Sequence, residues 1–243
     1  MTFNSTFGRV LSPTFQPNSQ AAAAVNTWKP TDLSGCLLWW DFSDSSKLFT
    51  DAGTTQVSND GDLIYQINDK SGNNNHGVQS TDTLRPAYKT NIQNGKSLAR
   101  YNKDYLVFSS RLTTIRSVYW VFKCTDGLWF VLGDASTYNW HCSSGSPYYM
   151  AHSSFSSSYW RNGVNRINGS EITITSTIKP SSMSVMSSVC TGNMIAGNFS
   201  KDRTQTGREA IADLAELIIY STAHDSSTTS TVETYLNNKW AIY

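Results

Sequence analysis

The feature that most constrains the fold of this chain is a short apolar run near its start, residues 36–42, which reads Cys-Leu-Leu-Trp-Trp-Asp-Phe. Gly35 and Ser43 bound the run with turn-forming residue types. A run this short that contains two tryptophans is typical of a strand buried on both faces rather than of a surface helix. A strand this early needs distant segments to cover it. We therefore expect late parts of the chain to lie beside it.

The composition favours an all-β fold. Only 15% of the 243 residues are charged, well below the roughly 25% that is usual for soluble domains. Ser, Thr and Asn supply most of the polarity instead. Thr and aromatic residues favour strands, whereas Asn, Gly and Ser favour the turns between them. A chain of this length can form one large β domain or two small domains.

The charge pattern argues against several classes of partner. The net charge is +1 and no basic cluster is longer than a pair, so we expect neither nucleic acid nor an anionic membrane surface as a partner. No apolar run approaches the ~20 residues of a membrane span. The first ten residues contain one arginine and no apolar core, which predicts that they are not a secretory signal.

The four cysteines lie far apart in the sequence, at Cys36, Cys124, Cys142 and Cys190. The absence of a Cys-x-x-Cys pair argues against a metal cage. The even count allows two disulfides, but without a secretory signal we favour buried thiols.

Residues 1–32 differ from the rest of the chain and are interpreted as an N-terminal arm. Their apolar residues are spread among Ser, Thr, Asn and Pro without helical or strand periodicity, and Pro13 and Pro17 prevent a continuous helix. The segment is either a leader that is disordered or packed on the surface, or an arm that docks onto a partner. The side chains that would anchor it are Phe3, Phe7, Val10, Leu11 and Phe15.

From residue 33 onward, short strands follow one another with turn residues between them. Val118, Trp120 and Phe122 alternate with the residues between them, as in a strand covered on at least one face. Many short strands separated by glycine-containing turns indicate a β-sandwich or barrel. The clearest predicted strands are residues 63–67, 97–101, 105–108, 116–123, 128–132, 148–151, 171–177, 183–190 and 194–199.

The C-terminal part of the chain predicts a long strand followed by a helix. Residues 211–220 are small or apolar on both faces near the end of the strand. Residues 226–240 form the one convincing helix, with Asp225 or Ser226 as its N-cap. Apolar side chains, including Val232, Leu236 and Trp240, share one helical face and should pack against the sheets.

Several stretches, taken in order, resemble the concanavalin A-like lectin/glucanase superfamily in its laminin-G-like jelly-roll form. Residues 37–44 read Leu-Leu-Trp-Trp-Asp-Phe-Ser-Asp and are similar to the opening strand of that family. Residues 69–76, Asp-Lys-Ser-Gly-Asn-Asn-Asn-His, are similar to the loop that follows. Residues 85–88 and 94–101 match the next hairpin, and residues 213–220 and 232–240 match the closing strand and helix. The similarity spans residues 33–243 and is weakest from 112 to 192.

The resemblance implies a two-sheet antiparallel β-sandwich, a jelly roll, in which the first and last strands are neighbours. A single jelly roll behind a short arm is also similar in architecture to structural proteins of tailed bacteriophages, where such an arm anchors the domain to the capsid or tail.

Glycosidases of the superfamily carry paired carboxylates on one strand. Here Asp213 and Glu216 are three residues apart, so on a regular strand they would face opposite sides. No Glu-x-Asp-x-x-Glu pattern is present. Cys142 follows His141, but adjacent strand residues point apart, and there is no Gly-x-Ser-x-Gly elbow. We therefore expect no enzymatic activity.

Calcium is a possible ligand, because lectin-type jelly rolls use hard oxygen ligands. Asp41, Asp44, Asp69 and residues 73–75 carry such oxygens, but turn formation and helix capping explain the same residues. No cofactor and no metal are predicted.

A cluster of aromatic and amide residues predicts a glycan site. Tyrosine and tryptophan rings can stack on the apolar face of a sugar while amide, His and Arg side chains bind its hydroxyls. The alternative is that some of these rings fill the interior of the sandwich. The candidate residues are Tyr138, Asn139, Trp140, His141, Tyr148, Tyr149, Trp160, Arg161 and Asn162.

The sequence thus predicts a non-catalytic virion structural protein, such as a capsid decoration protein or a head or tail fibre module, that displays a lectin-like domain. Its partners would be a capsid or tail protein bound through the arm and host or environmental glycans, and self-association is left open. The alternative is a carbohydrate-binding module of a microbial surface or secreted protein, which would be extracellular.

Overall fold

The computed structural model describes residues 1–2, 28–126, 130–143, 145 and 147–243. Antiparallel strands dominate these residues, and one long helix closes the chain, so the predicted all-β class is confirmed. The strands are β1 (Cys36–Asp41), β2 (Leu48–Phe49), β3 (Gln66–Ile67), β4 (Gly77–Val78), β5 (Ala87–Gln93), β6 (Lys96–Asp104), β7 (Leu106–Asp126), β8 (Val164–Ile167), β9 (Ser170–Glu171), β10 (Ser184–Phe199) and β11 (Ala210–Tyr220). The α-helices are α1 (Ser158–Arg161) and α2 (Ser226–Trp240), and short 3-10 helices span Pro30–Asp32, Ser45–Lys47 and Asp82–Leu84.

The first and last strands are neighbours, as predicted. β1 pairs antiparallel with β11, with Trp40 opposite Leu217 and Asp41 opposite Glu216. The same edge of β11 continues along β6, and its other edge pairs with β7. Residues nearly 180 positions apart in the sequence therefore form one sheet.

Two long strands connect the layers of the fold. β7 has 21 residues and β10 has 16, whereas the sequence predicted two shorter strands in each region. They pair along their length with register shifts between Val189 and Asn198, and such irregularities bend strands. The first half of β7 pairs with β4, and its second half pairs with β11. Each half therefore belongs to a different layer.

The alternation predicted for residues 118–122 is confirmed. Val118, Trp120 and Phe122 join the core between the layers, whereas Tyr119 and Val121 join a second core beneath α2. Trp39 and Trp40 of β1 divide between the two cores in the same way. This sheet is therefore buried on both faces, which explains why its strands are so rich in apolar residues.

Trp40 connects the two layers directly. Its ring lies 5.0 Å from the Phe108 ring, centroid to centroid, in an edge-on arrangement, and its indole N–H donates to the carbonyl oxygen of Asn75 at 3.1 Å. A Cβ at Gly77 would lie 2.5 Å from this ring, so only glycine lets β4 come this close. The layers thus meet face to face as a sandwich.

Helix α2 begins and ends where the sequence predicts. The carboxylate of Asp225 accepts the N–H of Thr228 at 2.7 Å, which caps the first turn. Val232, Leu236 and Trp240 are fully buried against the sheet. Ala241 ends the helix with a φ of 50°.

The region between β7 and β10 differs most from the prediction. Residues 171–177, predicted as a strand, contain only the end of β9 and a turn in which Thr173 accepts the N–H groups of Ser176 and Thr177. Residues 148–151 form one isolated bridge, between Tyr149 and Ile178. Three of the five residues in the predicted strand 128–132 are described, and they show only a bridge at Phe130. The apolar residues of these segments were wrong indicators of strands, because loop residues also fill the core here.

The described end of the N-terminal segment packs on the domain. Trp28 lies 5.2 Å from the Tyr235 ring of α2, centroid to centroid, and the carbonyl of buried Pro30 accepts the Tyr220 hydroxyl at 2.9 Å. The predicted anchoring residues Phe3, Phe7, Val10, Leu11 and Phe15 lie outside the described residues. Among the described helices, none has the length and hydrophobicity needed to span a bilayer.

Replacement of Trp40 by alanine is expected to lower the free energy of unfolding by about 3–5 kcal/mol, since it leaves a large cavity between the layers. Urea denaturation followed by circular dichroism measures this change. The matched control is Ile178→Ala, because Ile178 is 62% exposed and its loss should change stability by no more than about 0.5 kcal/mol. Equal effects of the two substitutions would contradict the interlayer role of Trp40.

His224, which follows β11, is expected to make stability depend on pH. Burial lowers the pKa of His224 from 6.5 to about 4, and its Nδ1 lies 2.8 Å from the Tyr119 hydroxyl. Between these two values the unfolded chain binds a proton that the folded chain excludes, so stability falls as the pH falls through this window. We expect the loss to be roughly 1–3 kcal/mol.

Urea titrations near pH 7 and near pH 5, done on the native protein and on His224→Gln, measure this dependence. Burial also lowers the pKa of His141, so the variant should keep part of the slope. An unchanged slope in the variant would show that His224 does not contribute.

Candidate functional site

A cleft with converging polar side chains lies on the outward face of the second layer. It has a volume of about 330 Å³ and lies between the start of β7, the end of β10 and two loops, residues 130–139 and 200–209. We call it the β7/β10 cleft. The lining residues used below are Tyr105, Val107, Arg111, Asp134, Gly197, Asn198, Lys201 and Arg203.

Strand alternation and one glycine position the walls of the cleft. Leu106 and Phe108 face the core, which leaves Val107 on the outward face with 43% of its surface exposed. The carbonyl oxygen of Gly133 accepts a hydrogen bond from the N–H of Gly197 at 2.7 Å, and the N–H of Gly133 donates to the carbonyl oxygen of Asn198 at 2.9 Å. A Cβ at Gly133 would lie 1.8 Å from the carbonyl oxygen of Lys201. Glycine at this position therefore lets the loop 130–139, the end of β10 and the loop 200–209 come into contact.

The first polar pair of the cleft is Arg111 with Asp134. Arg111 Nε and Nη2 lie 2.6 and 2.9 Å from the two carboxylate oxygens, and Ser136 donates its N–H and hydroxyl to the same carboxylate. Burial opposes ionisation of Asp134, but these donors outweigh it and hold its pKa well below the usual range. The two side chains therefore form a fixed ion pair in the wall of the cleft, and the Asp134 carboxylate is not a proton donor.

The second polar pair adds an aromatic ring. Arg203 binds the buried carboxylate of Asp202 through Nε and Nη2 at 2.7 and 3.2 Å. The same guanidinium stacks on Tyr138, with Cζ 4.2 Å from the ring centroid, and donates to its hydroxyl at 2.5 Å. Tyr138 is 45% exposed. The pair therefore holds an exposed tyrosine at the rim of the cleft.

A second tyrosine, Tyr105, is part of the lining itself. The ammonium of Lys201 lies 4.0 Å from the centroid of the Tyr105 ring, a cation–π distance. Exposed Val107 is also in the lining. Rings, an apolar floor and fixed hydrogen-bond donors are what a sugar needs from a binding site.

The structure places three predicted glycan residues in the interior. Trp140 and Trp160 are almost fully buried, with ring centroids 5.2 Å apart, and their indole N–H groups donate to the carbonyl of Ile195 and the hydroxyl of Ser188. His141 is 5% exposed. Neither tryptophan has a ring face that a sugar could reach. Both rings instead fill the interior of the sandwich, which is the alternative that the sequence left open.

The other predicted residues lie at the surface but not in one place. Tyr138 borders the β7/β10 cleft, and half-buried Asn139 follows it. Tyr148 is exposed beneath the ammonium of Lys179, and Tyr149 lines a separate hollow of about 360 Å³ with His152. The last two are half-buried Arg161, which donates to the carbonyl of Ser156, and exposed Asn162.

Sequence reasoning missed most of the β7/β10 cleft. Tyr105, Arg111 and Lys201 come from segments up to 96 positions apart, and no local pattern joins them. One signal was available: residues 201–203 read Lys-Asp-Arg, a dense charge cluster in a chain with few charges. In the aromatic stretch 159–162, the exposed ring is Tyr159, which is 50% exposed on α1, while its neighbour Trp160 is buried.

The carboxylates Asp213 and Glu216 do not face opposite sides. A register shift between Leu214 and Glu216 turns both toward the α2 side of the sheet, because a bulge adds one residue to the alternation. Each still has its own partners. Asp213 binds Arg100 and Lys123, with Nε and Nζ distances of 2.8 and 3.2 Å.

Glu216 is completely buried in a polar network beneath α2. Its Oε1 accepts the Trp39 indole N–H and the Tyr235 hydroxyl at 2.7 and 2.9 Å, and its Oε2 accepts Lys239 Nζ and the Trp240 indole N–H at 2.8 and 2.7 Å. These donors fill the acceptor positions of a carboxylate. Burial, together with the carboxylate of Asp41, raises the pKa of Glu216.

The carboxylates of Asp41, Asp44 and Asp69, the candidate calcium ligands, are bound to protein donors. The ammonium of Lys70 lies between Asp41 and Asp44, 2.8 and 2.9 Å from their carboxylates. Asp69 accepts hydrogen bonds from the backbone of Trp39 and from both the N–H and the hydroxyl of Ser71. Within the described ranges, no group of three or more His, Cys, Asp or Glu side chains is arranged to hold a metal ion.

The neighbouring Cys142 and His141 are not arranged as a nucleophile and base. Burial raises the pKa of the Cys142 thiol to about 12, and this thiol faces the carbonyl of Trp140 at 3.8 Å. His141 Nδ1 lies 2.5 Å from the carbonyl oxygen of Cys142 rather than on its sulfur. The thiols of Cys36 and Cys190 form no disulfide either, and burial raises their pKa to about 12.

A larger groove, about 1110 Å³, runs along the exposed side of α2. Its described lining is mostly uncharged Ser, Thr and Asn, and its tyrosine and lysine, Tyr235 and Lys239, already bind Glu216. Few groups are left to converge on a small ligand, so the β7/β10 cleft is the better candidate.

Comparison of the chain with family models, with curated proteins and with solved structures finds no match.

The Cys142 thiol is expected to resist alkylation in the native protein near pH 8, since burial excludes the reagent and a thiol with so high a pKa forms almost no thiolate. Peptide mapping after iodoacetamide treatment measures this, with urea-unfolded protein as the control. Rapid native alkylation of Cys142 would contradict its assignment as a core residue and would reopen a nucleophilic role.

Proposed function

We propose that this chain is a non-catalytic, glycan-binding β-sandwich of the concanavalin A-like, laminin-G-like kind, carried on a virion as a capsid decoration protein or a head or tail fibre module. The observation that supports glycan binding most strongly is the β7/β10 cleft. There Lys201 lies over Tyr105, and Arg203 of the lining holds Tyr138; the exposed apolar surface of Val107 belongs to the same lining.

The cleft offers both kinds of contact that a pyranose ring requires. The aromatic rings and Val107 provide surface for its apolar C–H face, and Arg203 and Lys201 provide donors for its hydroxyls. The salt bridges to Asp134 and Asp202 fix the two guanidinium groups in advance, so little side-chain entropy is lost on binding.

The arrangement of the carboxylates supports a role without catalysis. A glycosidase needs two carboxyl groups that flank a substrate. Asp213 and Glu216 are nearly or fully buried and bind protein cations, and Asp134 is held by Arg111.

The virion setting rests on architecture: a jelly roll that resembles phage structural domains, preceded by an arm, residues 1–32, that would bind a capsid or tail protein. The alternative setting is a carbohydrate-binding module on a microbial surface or secreted protein. Both settings use the same cleft.

Alanine at Tyr105 or Tyr138 is expected to weaken glycan binding about tenfold or more, because a lost stacking surface costs on the order of 1.4 kcal/mol. A glycan array identifies the ligand, and titration calorimetry measures Kd. Tyr148→Ala is the matched control, since Tyr148 is as exposed as Tyr138 but lies outside the cleft.

A second variant blocks the cleft without removing a contact. A Cβ at Gly197 would have only ordinary contacts, 3.7 Å from Asp134 and 4.0 Å from Arg111, so Gly197→Val should fold and fill the cleft floor. Thr113→Ile enlarges an exposed position on β7 outside the cleft lining and serves as its control. Undiminished glycan binding by Gly197→Val would rule out the cleft.

Deletion of residues 1–27 is expected to leave a folded domain that no longer joins a larger particle. The deletion ends before Trp28 because Trp28 and Pro30 pack on the domain. Co-sedimentation with particles from the source, with their chains identified by mass spectrometry, tests this. The virion setting fails if the intact chain is found in no assembly or if the shortened chain joins one equally well.

A further inference from the structure

The positively charged side chains that line the β7/β10 cleft differ in whether they form ion pairs with carboxylates. Arg111 and Arg203 each engage a carboxylate with two nitrogens, Asp134 and Asp202 respectively. Their forks are therefore already occupied by bidentate pairing. Lys201 is different, because its ammonium forms no ion pair with any carboxylate in the described part of the chain. Its charge is therefore the one in the described lining that no carboxylate contacts, whereas Arg203 shares the carboxylate of Asp202 with Arg208.

The backbone fixes where this ammonium can reach. The N–H of Lys201 donates to the side-chain oxygen of buried Asn198 at 2.9 Å, and its carbonyl lies against Gly133. The side chain then extends over the ring of Tyr105. The positive charge thus lies over one face of the Tyr105 ring, so a sugar ring would contact the part of Tyr105 that the ammonium leaves uncovered.

We propose that the β7/β10 cleft selects an acidic sugar, a pyranose that carries a carboxylate, with that carboxylate bound to Lys201 and the ring seated on Tyr105 and Val107. This inference rests on the proposed glycan-binding function and specifies its ligand class. A sugar acid supplies a carboxylate for Lys201, while the rest of its ring remains compatible with the apolar surface of Val107.

A carboxylate fits the site better than a phosphate monoester. Arginine forks bind carboxylate and phosphate bidentately, but here both forks in the lining are engaged by Asp134 and Asp202. The remaining group is one compact ammonium with three donors, which balances the single charge of a carboxylate but not the nearly two charges of a phosphate monoester. A sulfate ester carries the same single charge as a carboxylate, so the binding experiment distinguishes these two.

Titration calorimetry on the full chain compares each acidic sugar with its uncharged methyl ester. The two acids are trigalacturonic acid and sialyllactose. We expect at least one acid to bind about 10- to 100-fold more tightly than its neutral partner at low salt, as a charge-assisted hydrogen bond implies. Raising the salt concentration should reduce that ratio.

Variants of Lys201 test the same contact from the protein side. Lys201→Gln should lose the preference for the acid and bind both ligands of a pair equally, whereas Lys201→Arg should retain most of it. Lys47→Gln, a lysine outside the cleft, is the control. Thermal denaturation of each variant verifies that the fold is intact, and the ligand pairs alone test the inference if a variant is unstable.

The outcomes separate this inference from the function on which it rests. Equal binding of acidic and neutral sugars, or an unchanged preference in Lys201→Gln, overturns acid selection but leaves glycan binding in place. Preference for a sulfated or phosphorylated sugar over the carboxylated one overturns the carboxylate assignment. Failure of every glycan, acidic or neutral, to bind overturns both.

Discussion

The carboxylate of Glu216 holds together the parts of the chain that are most distant in sequence. It lies on the last strand and accepts hydrogen bonds from Trp39 on the first strand and from Tyr235, Lys239 and Trp240 on the closing helix. A fully buried carboxylate is costly unless its acceptor positions are filled. The strands and the helix must therefore be in place together, which couples closure of the sheet to docking of α2.

The same closure positions the proposed binding surface. β11 pairs with β1 along one edge and with the second half of β7 along the other. The first half of β7 extends into the second layer and forms the floor of the β7/β10 cleft. The proposed binding face thus lies on a strand whose other half belongs to the sheet that is covered on both faces, and this gives the rigid support that a preorganised site needs.

Sequence patterns predicted what depends on local periodicity. The helix over residues 226–240 and the two apolar strands that pair as β1 and β11 follow from their spacing of apolar residues. The strand predicted for residues 171–177 was wrong, because apolar residues of loops also fill the core. Trp140 and Trp160 carry the aromatic character of a sugar site but are buried. The cleft itself joins Tyr105, Arg111 and Lys201 by tertiary contact, and no local pattern encodes such a contact.

Hydrogen–deuterium exchange with and without a saturating glycan tests the central role of the cleft most directly, because it reports where a ligand lies without any substitution. If the β7/β10 cleft holds the sugar, amides in residues 105–111 and 197–203 will exchange more slowly in the complex, while those of α2 will be unchanged. Slower exchange confined to α2, or to the hollow around Tyr149 and His152, would contradict this role and place the binding surface elsewhere.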